Sequence, residues 1–311
     1  MKIIKGVNEI TREFTNSIIT IGNFDGIHLA HQDIFKRVIT EAHNENRKSV
    51  VITFDPHPKK VLHPERRPFF LIASLDEKLK LIRDLGIDAV VLIQFSLEFA
   101  KVTAEEFVKN ILWDKLHIKK IFIGHDYIFG RDKGGNKEYL KVLGDRIGFQ
   151  VEVIDAIKVD DAIVSSTRTR NTILDGNVKL AARLLGRPYN LGGMVIKGHQ
   201  RGAGIGFPTA NIKPEKVLVP GRGVYAIIAE VEGETHPGVL NIGFNPTFAN
   251  DKLTIEAHII NFKGNIRGKS LDIFFIDRLR DEMKFENPKK LAVQIKRDIV
   301  NARTILTPYF L

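Results

Sequence analysis

Five short runs, Ser17–Ile21, Ser49–Phe54, Ala89–Ile93, Lys120–Ile123 and Gln150–Ile154, place the first limit on how this chain folds. They are rich in Val, Ile and Phe and almost continuously apolar, so strands made from them must be covered on both faces. Helical patterning lies between them. Residues 75–85 read as a helix stopped by Gly86, and Thr103 with Glu106 forms a capping-box pattern that opens a helix through Leu116. Buried strands alternating with helices predict a doubly wound parallel α/β sheet whose ligands lie at the carboxyl ends of the strands.

A last helical stretch, 170–185, gives way to Gly186-Arg187-Pro188-Tyr189-Asn190-Leu191-Gly192-Gly193, read as a seam of turn residues. With 311 residues the chain exceeds what one core usually organises, and the seam divides it into domains 1–186 and 187–311. Beyond the seam, 223–229, 238–242, 253–259 and 271–276 are strand-like with turns between them, which predicts a mainly antiparallel β-barrel. A terminal helix follows, with Asn287 as cap, Pro288 at its first position and Leu291, Ile295 and Ile299 on one face.

No apolar run approaches the length of a membrane span, and Met1–Gly6 lacks the apolar segment of a secretory signal, so a cytoplasmic protein with no membrane partner is expected. The absence of cysteine excludes disulfides, thiolate metal sites and cysteine nucleophiles. Chemistry must come from oxygen and nitrogen groups. A net charge of +10 suits a polyanion, either nucleic acid or a nucleotide. The basic residues are dispersed and carry no aromatic RNA-binding signature; charge alone does not choose between these, and a solvated basic surface is the plain alternative.

Gly22-Asn23-Phe24-Asp25-Gly26-Ile27-His28-Leu29-Ala30-His31 follows the first of the five runs and precedes a helix, the position from which an α/β fold approaches phosphate. Gly22 and Gly26 let backbone come close to a ligand. His28 and His31 share a helical face and can donate to developing phosphate charge; a capping role for His31, or metal binding by the pair, is the competing reading. Ser165-Ser166-Thr167-Arg168-Thr169-Arg170 sets three hydroxyls before two guanidinium groups, a phosphate-gripping set when it opens a helix. Thr53-Phe54-Asp55-Pro56-His57-Pro58 and Gly124-His125-Asp126-Tyr127-Ile128-Phe129-Gly130 also follow strands. In the second half, 198–211 is dense in glycine but lacks the Gly-Lys-Ser/Thr ending of a P-loop. Further on, Glu256 interrupts the strand-like 253–260 with a carboxylate.

Gly-x-Phe-Asp-Gly-x-His-x-x-His resembles the signature of the nucleotidyltransferase superfamily, with Ala30 where glycine is usual. Ser165–Arg170 is similar to the Ser-Ser-Thr-x-x-Arg element of its bacterial FAD synthetase branch, and the elements at 53–58 and 124–130 match the same branch, with Tyr127-Ile128 where Phe-Arg is more frequent. Gly206-Phe207-Pro208-Thr209-Ala210-Asn211 resembles the riboflavin kinase hallmark. That likeness continues through Gly223–Ala226, Asn241–Phe248, Glu256–His258, Arg280–Phe285 and the 294–303 helix. Together the halves resemble the bifunctional bacterial riboflavin kinase/FMN adenylyltransferase family over nearly the whole chain.

The resemblance implies two transfers: riboflavin and ATP to FMN and ADP in domain 187–311, then FMN and ATP to FAD and pyrophosphate in domain 1–186. It implies Glu256 as the base at the ribityl hydroxyl, and Thr209 and Asn211 as ligands of the Mg2+ carried by ATP. His28, His31 and Arg168 are implied as catalytic groups for adenylyl transfer. Gly22, Asn23, Phe24, Asp25, Gly26, Ser165, Ser166 and Thr167 in the first half, and Gly204, Gly206 and Pro208 in the second, are implied for ATP and phosphate. For the flavin the implied residues are Phe54, His57, Asp126, Phe129, Phe244 and Arg280. A same-fold transferase with another acceptor, or a basic nucleic-acid-binding protein, are the alternatives.

Overall fold

The computed structural model describes residues 1–65, 69–197, 204, 206–247 and 250–310, with backbone alone at 244–247 and 250–252. They form two compact units, Met1–Phe69 with Ala73–Ser166, and Phe70–Ile72 with Thr167–Leu311.

In the first unit β1 (Lys2–Lys5), β2 (Ile18–Ile21), β3 (Ser49–Asp55), β4 (Ala89–Gln94), β5 (Lys120–Gly124) and β6 (Gln150–Ile154) make one sheet. Its spatial order is β1-β4-β3-β2-β5-β6, and every neighbouring pair is parallel. Successive strands leave β2 first on one side and then on the other, so the crevice between β2 and β5 is the topological switch point. Alternating residues of each strand enter opposite cores, which is why the runs are apolar throughout. Ile18, Val51, Val90 and Phe122 meet Phe35 and Val38 of α1 (Leu29–Asn44) and Leu79 and Ile82 of α2 (Leu75–Asp84). On the other face, Ile19, Ile21, Val50, Ile52 and Val91 meet Phe107, Val108, Ile111 and Leu112 of α3 (104–113) and Leu140 and Leu143 of α4 (Lys137–Ile147).

The capping box at Thr103 forms as expected, with the Thr103 N–H donating to Glu106 Oε2 at 2.9 Å and the Glu106 N–H to Thr103 Oγ1 at 3.2 Å. The helix it opens differs from the expected one. α3 is helical over Ala104–Glu106 and continues as a wider π-helical stretch, Phe107–Trp113, that turns Phe107, Val108, Ile111 and Leu112 into the core. Strand β1 was not legible because only Ile4 of its four residues is buried.

In the second unit the single helix expected over 170–185 is two: α5 (Ser166–Leu174) and α6 (Val178–Leu185). The Asn177 carboxamide accepts from the Leu180 N–H at 3.1 Å, capping a new helix that hydrophobic period alone could not separate. Six antiparallel strands close a barrel in the order β7-β8-β11-β10-β9-β12. They are β7 (Tyr189–Ile196), β8 (Ala210–Pro214), β9 (Gly223–Val231), β10 (Glu234–Thr247), β11 (Asn250–Ile259) and β12 (Ser270–Arg280). The seam at 186–193 is therefore half strand. A Cβ on Gly193 would stand 2.5 Å from the Lys213 carbonyl oxygen, so the glycine there serves the close β7–β8 pairing and not a turn. Leu191, Tyr225, Ile227, Leu240, Ile242, Ile255, Ala257, Ile273 and Phe275 fill the barrel together with Val178, Ala181 and Leu185 of α6.

The terminal helix α7 (Pro288–Leu306) begins as expected, with the Asn287 carboxamide accepting from the Lys290 N–H at 2.9 Å. Ala302 and Leu306 pack on Val224, Ala226, Val239 and Ile276 of the barrel's outer face. Asp298 is buried there and takes Arg280 of β12 in a fork, Nε at 3.0 and 3.1 Å and Nη2 at 2.8 Å. Truncating one partner of such a pair strands the other charge in a dry site. Asp298→Ala is expected to lower unfolding free energy in urea by about 3 kcal/mol. A loss below about 1 kcal/mol would show that α7 is held by its apolar contacts alone.

Candidate active sites

Strand β2 is buried at all four residues, and the chain leaves it in a tight turn. Phe24 and Ile27 take left-handed backbone, φ 47 and 42, on either side of Gly26 at φ 81. Side chains with a Cβ adopt that region at a cost, and such cost is met at sites the surrounding fold over-determines. A Cβ at Gly22 would lie 3.0 Å from the Phe24 ring, so that ring folds over the start of the turn only because Gly22 has no side chain. Phe24 itself is a core residue, edge-on to Phe35 at 4.8 Å and to His31 at 5.1 Å.

Helix α1 starts at Leu29, so Ala30 and His31 lie in its first turn and His28 at the N-cap position without a side-chain cap bond. Alanine is the best helix former, and the methyl of Ala30 needs no unusual backbone. The His28 and His31 rings stack at 3.6 Å between centroids. Burial, then the neighbouring His28 and Lys78, hold His31 well below the usual imidazole range, so it is neutral at pH 7. Among the described residues no group of three or more acidic or histidine side chains is arranged to hold a metal, so the alternative of a metal bound by His28 and His31 gains no partner ligands there.

A hydrogen bond joins the turn after β2 to the Ser165–Arg170 segment: Ser166 Oγ at the start of α5 donates to the Asp25 carbonyl oxygen at 3.1 Å. The buried Asp25 carboxylate also accepts from the Ala73 N–H at 3.4 Å. Asn23 is exposed at the crest of the turn and Ser165 half-buried. Thr167, exposed, and Arg168, half-buried, continue α5 into the second unit.

Lys78 escaped sequence reasoning. Its signal was present, because Leu75, Lys78, Leu79 and Ile82 form one helical stripe and the lysine interrupts it. It is buried, and its ammonium donates to Thr53 Oγ1 at 3.1 Å and to the Asn23 and Phe54 carbonyls at 3.4 Å. Burial pulls its pKa down to about 8 against the opposing pull of Asp25 and Asp55.

From the end of β3 runs a line of rings: Phe54 lies 5.8 Å from Phe95 and 6.0 Å from Phe99, and Phe107 lies 6.3 Å from Phe99 and 6.0 Å from Phe129, on which Tyr127 stacks at 5.3 Å. Phe54 and Phe129 were expected; Phe95, Phe99 and Phe107 were hidden by ordinary helix and loop positions. His57 is buried against Phe69 at 4.5 Å, and its Nδ1 accepts from the Lys59 N–H. Asp126 stands apart, its side chain 82% exposed.

In the barrel, Glu256 of β11 is in register with Asn211 of β8 on one side and Asn241 of β10 on the other. Ile255 and Ala257 point into the barrel, so the alternating Glu256 lies on its outer face with the two asparagines beside it. Asn241 opens the Asn241–Phe248 element, and only the strand register shows it beside Glu256. Thr209 and Asn211 both line a cavity of about 230 Å³ with Pro208, Ala257 and Phe262. The ring Nδ1 of His258 shares a hydrogen bond of 2.9 Å with the Pro208 carbonyl. Gly204 and Gly206 are exposed in the preceding loop, while 198–203 and 205 lie outside the described residues, as does the Phe244 side chain. Arg280 is engaged by Asp298 and by the Asp281 carbonyl at 2.9 Å, contacts internal to the barrel and its helix.

Each half of the chain is similar to known proteins. Residues 10–168 match the family model described as FAD synthetase, and residues 185–306 the one described as riboflavin kinase. A bifunctional riboflavin kinase/FMN adenylyltransferase of Pseudomonas fluorescens is 34% identical over 99% of this chain and 99% of its own. The Escherichia coli K12 protein of that name is 32% identical over 97% of each. A solved structure titled macrolide-efflux protein, from Streptococcus pneumoniae, superposes with a TM-score of 0.88 at 32% identity, covering 97% of this chain and 99% of that one. No helix among the described residues is long and apolar enough to cross a membrane. With one transferase module matched on each half and bifunctional relatives aligned from end to end, the chain belongs to the riboflavin kinase/FMN adenylyltransferase family, enzymes that phosphorylate riboflavin and adenylylate FMN.

Proposed function

We propose that the two transfers use separate side chains, with 1–186 carrying adenylyl transfer and 187–311 phosphorylation. The family matches at 10–168 and 185–306 support this division. The observation that carries the adenylyl-transfer site is the Ser166 to Asp25 bond, which joins two phosphate motifs separated by well over a hundred residues.

At that site the FMN phosphate is already an anionic nucleophile, so the protein needs no base. Its oxygen attacks the α-phosphorus of ATP as the bond to pyrophosphate breaks. Positioning and hydrogen bonds to the developing charge supply the acceleration. Neutral His31 with His28, the hydroxyls of Ser165, Ser166 and Thr167, and the Arg168 guanidinium are the proposed donors. Gly22, Asn23, Phe24, Asp25 and Gly26 shape the turn that receives ATP, with Phe24 acting from the core. Phe54, Phe129 and the rings between them offer a flat apolar surface suited to an isoalloxazine ring, with His57 and Asp126 as further flavin candidates.

In the barrel, Glu256 takes the proton of the ribityl hydroxyl as its oxygen attacks the γ-phosphorus and ADP leaves. The oxygen donors Thr209 and Asn211 would suit a hard cation, and the Mg2+ carried by the MgATP substrate would there offset charge on the phosphates. Gly204, Gly206 and Pro208 are proposed to border the phosphates, and Phe244 the flavin. Arg280 serves this site by holding β12 to α7. The substrates are small molecules found in the cytoplasm, the proposed location, and the +10 charge suits their phosphates without a nucleic-acid partner.

The two sites separate by mutation. Glu256→Gln is expected to lower FMN formation by about 100-fold or more and leave FMN-to-FAD conversion within about twofold. His31→Ala is expected to cut FAD formation by about 100-fold and spare riboflavin phosphorylation. Separating flavins from timed reactions checks both, and loss of both reactions by either variant, with the fold intact, would refute independent sites.

A further inference from the structure

We infer that Lys78 is a positioning residue for adenylyl transfer, its buried ammonium tying the ATP turn after β2 to the flavin-side end of β3 and so setting the relative placement of the two substrates. The inference rests on the adenylyl-transfer reading of the first unit. A lysine is seldom buried without reason, since its charge is costly in a dry site and its long side chain loses much freedom there. On α2 it occupies a core position between Leu75, Leu79 and Ile82, where an aliphatic residue would pack as well. Its acceptors explain the choice. Two are backbone carbonyls at strand exits, Asn23 after β2 and Phe54 at the end of β3, and the third is the Thr53 hydroxyl. Thr53 in turn donates to the same Asn23 carbonyl at 3.3 Å, so a single cation closes a small network across both exits.

Those exits belong to different substrates. The turn after β2 carries Asp25, His28 and His31; the end of β3 begins the ring line at Phe54. The hydrogen bonds of its ammonium go to the Asn23 and Phe54 backbone carbonyls and to the Thr53 hydroxyl, so it acts through the backbone it holds. The titratable groups facing it are Asp25 from the turn, Asp55 from β3, and His31 from α1 with the stacked His28 beyond. The carboxylates favour its protonated form, and the neutrality of His31 spares it a second positive charge. Displacement of about 1 Å between reacting groups costs on the order of 100-fold in rate, so loosening this tie reads out in kcat.

The test uses the full chain and steady-state FAD formation from FMN and MgATP, with riboflavin phosphorylation measured in the same samples. Lys78→Met keeps length and apolar volume and removes the charge. It is expected to lower kcat for FAD formation about 10- to 100-fold with KM for FMN and for ATP within about threefold, and to leave FMN formation unchanged. In the unmodified protein the FAD rate is expected to fall through pH about 8, where Lys78 loses its proton. Lys78→Arg, charged throughout, is expected to carry its rate past that pH. Lys78→Met within twofold of the parent in kcat overturns the inference, as does an alkaline limb that persists unmoved in Lys78→Arg. If Lys78→Met fails to fold, the parent and Lys78→Arg pH profiles decide alone. A parent that makes no FAD at all instead refutes the reading on which the inference rests.

Discussion

Strand β2 is pinned on both edges, by β3 and by β5, and buried on both faces. It cannot shift to ease the turn that follows it. The chain must pass from its last residue into α1 within a few positions, and it does so through left-handed backbone at Phe24, Gly26 and Ile27. The stacked imidazoles, the inward Asp25 and the exposed Asn23 all follow from that passage. So does its place in the fold, since β2 and β5 flank the point at which the sheet changes direction, where parallel α/β sheets in general receive ligands.

The barrel reaches its geometry by a different constraint. Closing six antiparallel strands fixes which residues face out together, and register sets Asn211, Glu256 and Asn241 side by side across three strands. A carboxylate placed one residue earlier or later in β11 would point into the apolar interior beside Leu240 and Tyr225. α7 covers another stretch of the outer face, held by Asp298 and by Ala302 and Leu306, so the face that carries Glu256 and the helix-covered face are distinct.

The five strand runs, the capping box, the Asn287 cap and four of the barrel strands could be read directly, because hydrophobic period and cap chemistry are local. β7 and β8 could not, since Gly192, Gly193 and Pro214 mimic turns unless the close β7–β8 pairing is known. The split between α5 and α6 was lost because apolar period continues across it. Lys78 and Asn241 depend on contacts between elements distant in sequence, which no pattern reports; a charged residue within an apolar helical stripe was the one visible trace. The glycine motifs, by contrast, are written in the chain because their backbone demands residue types that few other positions share.

If one chain carries both transfers in sequence, purified protein supplied with riboflavin, ATP and magnesium forms FMN with one ADP released for each, then FAD with one pyrophosphate released for each, and no flavin product when ATP is omitted. A folded sample that consumes no riboflavin and forms neither FMN nor FAD would contradict it.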